Sequence, residues 1–243
     1  MIITRYQVKG PKLKAAVVAD LHGEPKVELF KALQEEKPDV ILIPGDLATV
    51  GIYDESVTVD PERLQKRAEG QKKAFEFLKA AVNIAPTFYS RGNHEWGIND
   101  EYREKAKATG TVLLENEWMK FGDVWIGGQN SAKRYGIGEL TDEKKAPDTQ
   151  WLKNSPDGFR VLLCHHPEYY DLVKDYADLV LAAHVHGGQF RFFGRGVFAP
   201  GQGFLPRFSK GVYGKMIVSA GLTNTTWVPR INNPTELVIV EMG

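Results

Sequence analysis

One cysteine, Cys164, is all the chain has, so no internal disulfide can form, which fits a reducing compartment. Net charge is missing as well. The 31 Lys and Arg residues balance 31 Asp and Glu, leaving no overall field to draw the chain to nucleic acid or to an anionic membrane. No apolar run approaches the roughly 20 residues that cross a bilayer. Residues 1–10 lack the apolar segment of a secretion signal. The location expected from these absences is the cytoplasm. There is no internal repeat and no low-complexity segment either.

What remains is an ordinary globular composition, 42% hydrophobic and 26% charged over 243 residues, long enough to bury a sizeable core and expected to form one domain over residues 1–243. The first half alternates strand and helix signals. Short apolar runs at 15–19 and 40–43 suit strands buried on both faces. Between them, Val27, Phe30 and Leu33 carry a helix spacing. Asp60 and Pro61 open a longer helix expected over 61–82, with Leu64, Ala68, Phe75, Leu78 and Val82 on one face. Residues 87–90 form a third strand. Repeated strand–helix–strand units argue for parallel strands. The second half is richer in strands, expected at 124–126, 160–164, 179–181, 216–219 and 237–240, with short helices at 149–153 and 168–174. Residues 187–214 read as a long functional loop with hairpins.

The six histidines, His22, His94, His165, His166, His184 and His186, each follow a strand signal. Asp20 and His22 stand two apart, as do His184 and His186. In extended chain that spacing turns both side chains to one side, so a carboxylate and an imidazole, or two imidazoles, can share a metal. Gly45-Asp46 closes the second strand and Gly92-Asn93-His94-Glu95 the third, at the carboxyl ends where open α/β sheets bind ligands. Any one of these elements alone is most often a turn or a satisfied polar contact. Five of them in order at strand ends are not.

Asp20-x-His22, Gly45-Asp46, Gly92-Asn93-His94-Glu95, His165-x-Pro167 and Ala183-His184-x-His186 resemble, in order, the motif series of the calcineurin-like metallophosphoesterases. The continuation Gly187-Gly188-Gln189 resembles their small bacterial phosphodiesterase branch. The resemblance implies a four-layer α/β/β/α sandwich with a dinuclear metal site at the strand ends. One divalent ion (Mn, Fe or Zn) would take Asp20, His22 and His186, the other Asn93, His165 and His184, and Asp46 would bridge them. His94 would face the substrate, beside Asn93, as the catalytic residue. The resemblance selects His165 over His166, leaving His166 to point to solvent or a loop carbonyl. It also marks two departures: Ala183 where a Gly is common, and Thr49 where a second Asp is common, whose loss would loosen the site if that Asp supports the ligands.

Two divalent ions against two carboxylates and a bridging hydroxide leave such a centre about one charge positive, which suits an anionic phosphoester. The expected function is therefore phosphodiester hydrolysis by direct attack of the metal-bridging hydroxide, with His94 assisting the leaving group. A non-catalytic scaffold of the same fold and a lipid-linked pyrophosphate hydrolase are the alternatives. Phe190, Phe192, Phe193, Phe198, Phe204, Leu205 and Phe208, with Arg191, Arg195, Arg207 and Lys210 among them, are read first as a cap on the core. Their second reading is a rim for peripheral membrane contact through loop 190–213. Cys164 is read as a buried strand thiol, Arg91 as structural before a reach to phosphate, and Glu95 first as an exposed carboxylate at a helix start and second as a group that steadies the His94 loop.

Overall fold

Strands that are apolar at nearly every position need cover on both faces, and the chain supplies it with two sheets packed face to face. The computed structural model describes residues 1–50, 60–132, 146–199, 202–224 and 229–243. The first sheet holds β1 (Ile2–Val8), β2 (Leu13–Val17), β3 (Val40–Ile43), β4 (Thr87–Ser90), β5 (Val112–Leu114) and β16 (Glu236–Met242), in the order β1-β16-β2-β3-β4-β5. The second holds β6 (Glu117–Phe121), β7 (Val124–Gln129), β8 (Phe159–Cys164), β9 (Leu179–Ala182), β14 (Gly211–Tyr213) and β15 (Met216–Val218), in the order β14-β15-β9-β8-β7-β6. β2 to β5 run parallel, as do β7, β8, β9 and β15.

Alternate residues of each strand serve different cores. Ala15, Val17, Val40, Leu42 and Phe88 face the second sheet's Ile126, Val161, Leu163 and Leu181. Ala16, Ile41, Ile43 and Tyr89 turn outward to the helices. These are α1 (Val27–Glu36), α2 (Pro61–Val82) and α3 (Asp100–Ala108). On the second sheet's outer face, Leu162, Cys164, Val180 and Met216 are covered by 3₁₀ turns at Gln150–Asn154 and Pro167–Tyr169 and by the single turn α4 (Tyr170–Val173). The result is the four-layer α/β/β/α sandwich, with a thin fourth layer. No helix among the described residues is long and apolar enough to cross a membrane.

α2 keeps the bounds its sequence announces: Asp60 accepts a hydrogen bond from the Glu62 N–H at 3.1 Å, and Pro61 occupies the first turn. Its buried face overlaps the expected one only at Leu78, with Phe75 packed at its margin. Ala74, Phe77, Leu78 and Ala81 are buried, whereas Leu64 is 49% exposed. The Leu64–Phe75–Val82 row lies roughly a quarter turn around the helix from the buried row. It meets α3 at its edge, where the Phe75 ring lies 4.9 Å from Tyr102. Three more strands, β1, β5 and β6, and helix α3 carried no sequence expectation.

The loop after β9 contains two small hairpins, β10 (Arg191–Phe192) with β11 (Arg195–Gly196), and β12 (Phe198–Ala199) with β13 (Gly203–Phe204). Its aromatics divide by burial. Phe208 is buried in the outer core, and Phe190 and Phe198 are half-buried. Phe192, Phe193, Phe204 and Leu205 are exposed.

Candidate metal centre

The candidate polar side chains sit just beyond the ends of five of the parallel strands. Asp20 and His22 follow β2, Asp46 follows β3, Asn93 and His94 follow β4, His165 and His166 follow β8, and His184 and His186 follow β9. Asp20, His22, Asp46, His184 and His186 all have positive φ, between 46° and 68°. For residues with a side chain this costs on the order of 1 kcal/mol each, and such strain concentrates at functional sites. The two-residue spacings thus work through left-handed turns, which corrects the extended geometry expected from spacing. Ala183 does not share the positive φ, so its methyl group fits where a glycine was expected.

The turns bring three compact groups together: Asp20, His22 and His186; His22, Asp46 and His94; and Asp46, His165 and His184. Within each, one nitrogen or oxygen per residue lies within 4.8 Å of the others. His184 and His186 therefore part company. Asp46 stands between the groups: its Oδ2 is 3.2 Å from His165 Nε2, 3.7 Å from His22 Nε2 and 3.8 Å from His94 Nε2. Its Oδ1 accepts a hydrogen bond from the His94 N–H at 2.9 Å. Backbones must crowd for this. A Cβ on Gly92 would lie 2.1 Å from Asp46 Oδ1, and one on Gly45, where φ is 125°, would lie 2.6 Å from Gly92 N. Both oxygens of Asp20, Nε2 of His22 and Oδ1 of Asn93 are buried with no hydrogen-bond partner among the described residues. Buried polar atoms left so are costly, and this mixed N and O donor set, aimed inward, fits divalent cations.

Burial lowers the proton affinity of His22, His184 and His186, holding them as neutral imidazoles able to donate a lone pair. His165 goes the other way. Burial would lower it too, but the charge and hydrogen bond of Asp46, with Asp20 behind, raise it to about 9. Asp46 is penalised by burial, yet the imidazoles of His165 and His94 hold it well below the usual carboxylate range.

The supports were harder to foresee. Glu95, read first as exposed and second as steadying the His94 loop, is fully buried, which favours the second. Its Oε2 accepts from the N–H groups of Asp46 (2.9 Å) and Gly92 (2.8 Å), and its Oε1 from that of Ala48 (2.8 Å). One carboxylate thus staples the turns after β3 and β4. Thr49 stands where an Asp was expected, and its hydroxyl lies 3.1 Å from His94 Nδ1 and 3.4 Å from His22 Nδ1. It keeps a contact to both rings. His166, expected toward solvent or a loop carbonyl, is buried; its Nδ1 meets the Ser131 hydroxyl at 3.1 Å, and its ring lies 4.3 Å from that of His184. Arg91 pairs with Glu115 at 2.9 Å, and burial pushes the Cys164 thiol up, as expected of structural groups.

The chain's last segment supplies contacts that no motif signalled. Thr223 Oγ1 donates to the Asp20 carbonyl at 2.8 Å, Asn233 Nδ2 donates to the His186 carbonyl at 2.7 Å, and the Arg230 guanidinium lies 3.2 Å from His186 Nδ1. Each is a single polar residue in an irregular stretch, with no spacing to mark it.

Comparison with known proteins agrees with this architecture. Residues 13–188 match the family model described as calcineurin-like phosphoesterase. The uncharacterized metallophosphoesterase Cj0846 of Campylobacter jejuni is 29% identical over 95% of this chain and 59% of its own length. The phosphodiesterase YaeI of Escherichia coli is 29% identical over 73% of this chain and 62% of its own. The alignments thus take in about three fifths of each of these two relatives. A solved structure superimposes with a TM-score of 0.53 at 10% identity, covering 85% of this chain and 89% of the other, a likeness of fold.

Proposed function

The chain belongs to the calcineurin-like phosphoesterase family, and from that premise we propose that it hydrolyses phosphodiesters with two divalent metal ions. The observation that carries the proposal is the meeting of three His/Asp groups around Asp46. Asp20, His22 and His186 would hold one ion, Asn93, His165 and His184 the other, and Asp46 would serve both. Bound there, divalent ions would acidify water and polarise phosphoryl oxygens. The name of the Escherichia coli relative supports the preference for diesters.

His94 is assigned to the substrate. Its side chain is 33% exposed, while the other five histidines are buried to 8% or less. Its Nδ1 is engaged by Thr49, so the Nε2 edge is left to carry a proton to the departing ester oxygen. Replacing His94 by Ala is expected to lower turnover by about 10²–10⁴-fold with metal content unchanged. Loss of metal alongside turnover would make His94 a ligand instead.

The assay uses protein stripped of metal and resupplied with Mn²⁺, on bis-p-nitrophenyl phosphate beside p-nitrophenyl phosphate. Metal-dependent turnover of the diester is expected. No turnover of either, with metal bound, would favour the non-catalytic scaffold. The exposed Phe193 and Leu205 favour a second reading of the substrate, a lipid-linked phosphoester. A phospholipid diester in the same panel, if left intact, removes it.

Metal loading should depend on pH through His165. With its affinity for a proton raised to about 9 in the metal-free protein, an incoming ion displaces that proton at neutral pH. Mn²⁺ affinity, measured by competition with a chelator, is expected to rise about tenfold per unit from pH 7 to near 9 and then level off. A flat profile across that range would mean that no ligand sheds a proton there and that the raised affinity of His165 is absent.

A further inference from the structure

The inward stripe of α2 changes chemistry halfway along. From residue 74 onward it is Ala74, Phe77, Leu78 and Ala81, all buried in the core. One to three turns earlier the same stripe, at the same three- and four-residue spacing, is Arg63, Lys66, Arg67 and Gly70. This half of the helix runs past the end of the core and over a cleft of about 510 Å³ whose other wall includes His22, Thr49 and His94.

Three features distinguish this row from an ordinary solvated face. Arg63, Lys66 and Arg67 form no ion pair among the described residues, whereas Lys73, further along the cleft, is paired with Glu69 at 2.7 Å. Like charges three and four apart cost the helix a few tenths of a kcal/mol per pair, which an isolated helix would not retain. The helix is also seated on the centre itself. A Cβ on Gly23, next to His22 and at φ 72°, would fall 2.4 Å from the Gly70 carbonyl oxygen. Backbone lies against backbone there, and the cations of the preceding turn are brought beside the His22 turn. Among the described lining residues the four cations stand against Glu24 and Glu69, a surplus of two positive charges.

Resting on the reading of the centre as a phosphodiesterase site, we infer that Arg63, Lys66 and Arg67 bind a second phosphate group of the substrate, away from the bond that is cut. The substrate class is a small phosphodiester carrying at least one further phosphate. Guanidinium groups suit this role, because their paired N–H donors match phosphate oxygens. The row from 63 to 67 spans about 6 Å of helix, enough to follow such a group rather than a point. The subsite is electrostatic and half open, so its effect falls with salt.

The test compares thymidine 5′-(p-nitrophenyl phosphate) with the same diester bearing a 3′-phosphate. The wild-type protein is expected to show a kcat/KM at least about tenfold higher for the phosphorylated diester, and that ratio should fall to about one in the Arg63→Gln, Lys66→Gln, Arg67→Gln triple variant. Lys72→Gln with Lys79→Gln, on another face of the same helix, should keep the wild-type ratio. A wild-type ratio near one, or a ratio that survives in the triple variant, overturns the inference. Reading a ratio within each protein cancels any general loss of folding, and Arg67→Gln alone serves if the triple variant does not fold. Should neither diester be turned over, the failure belongs to the proposed activity, and binding decides the subsite. Metal-free protein titrated with inorganic tripolyphosphate should lose at least about tenfold in affinity in the triple variant and none in the Lys72/Lys79 control. Equal affinity in the triple variant and wild type would end the proposal.

Discussion

Asp46→Asn is expected to empty both metal positions together and to lower diester turnover by more than about a hundredfold, since even the outer partners of metal ligands are worth 10–100-fold in affinity. The change is nearly isosteric, which isolates charge from shape. The retained oxygen can still accept the His94 N–H that Oδ1 accepts now, at 2.9 Å, so the turn after β3 should hold. What disappears is the negative charge within 4 Å of three imidazoles, those of His165, His22 and His94. The new amide also points N–H donors where lone pairs stood. His186, present in one group only and proposed to hold a single ion, should by contrast release one ion preferentially when replaced. Metal content by elemental analysis, with turnover at saturating Mn²⁺, reads both. An Asp46→Asn protein that keeps two ions, or keeps its activity, would remove Asp46 from its central position. The same variant carries an internal check: without Asp46, His165 loses its largest favourable partner, and its proton affinity should drop below the value of about 9.

Strands β3 and β4 were legible because they are short apolar runs closed by Gly-Asp and by Gly-Asn, a pattern that buried parallel strands and their turns impose together. The polar residues on those turns were legible for the same reason, as types recurring at strand ends. The edge strand β1 was not, because its mixed, half-exposed side chains carry no clean period. The face of α2 was misread for a physical reason that bears on function: its inward stripe holds Arg63, Lys66 and Arg67, so the only apolar row visible in that half was the flank bearing Leu64. His165 and His166 could be told apart only by resemblance, since both are buried and both lie near His184. Glu95 was hidden by distance along the chain. Two of its three donors, the N–H groups of Asp46 and Ala48, lie 49 and 47 residues away, and no local pattern announces a carboxylate that caps another loop.

Glu95→Ala should therefore be the most destabilising single change near the centre. It leaves the N–H groups of Asp46, Ala48 and Gly92 without their acceptor in a buried place, at about 1–3 kcal/mol each; relief of the desolvation that the buried carboxyl itself suffers offsets part of this, so a loss of about 3–5 kcal/mol is expected from a total on the order of 5–15. For a chain of this size that is roughly a 10 °C drop in Tm. Glu95→Gln keeps one acceptor oxygen and turns an amide N–H toward a backbone donor, so it should fall between. The pH dependence separates charge from hydrogen bonding. Burial, then the nearby Asp46 charge, raise the Glu95 carboxyl to about 8 against the pull of the Ala48 and Gly92 N–H groups. A carboxyl raised on folding contributes stability that is complete below its unfolded value of about 4.5 and lost as pH rises through about 8. Urea unfolding of metal-free protein at pH 5, 7 and 8.5 should show wild type losing stability relative to Glu95→Gln across that window. His165, also raised, moves both proteins in the same direction, so the difference between them belongs to Glu95. If the two proteins keep a constant difference from pH 5 to 8.5, Glu95 is already ionised throughout and its three N–H donors outweigh burial. If Glu95→Ala unfolds at the wild-type temperature, the staple between the β3 and β4 turns contributes nothing, and the crowding of Gly45 against Gly92 must hold those turns without it.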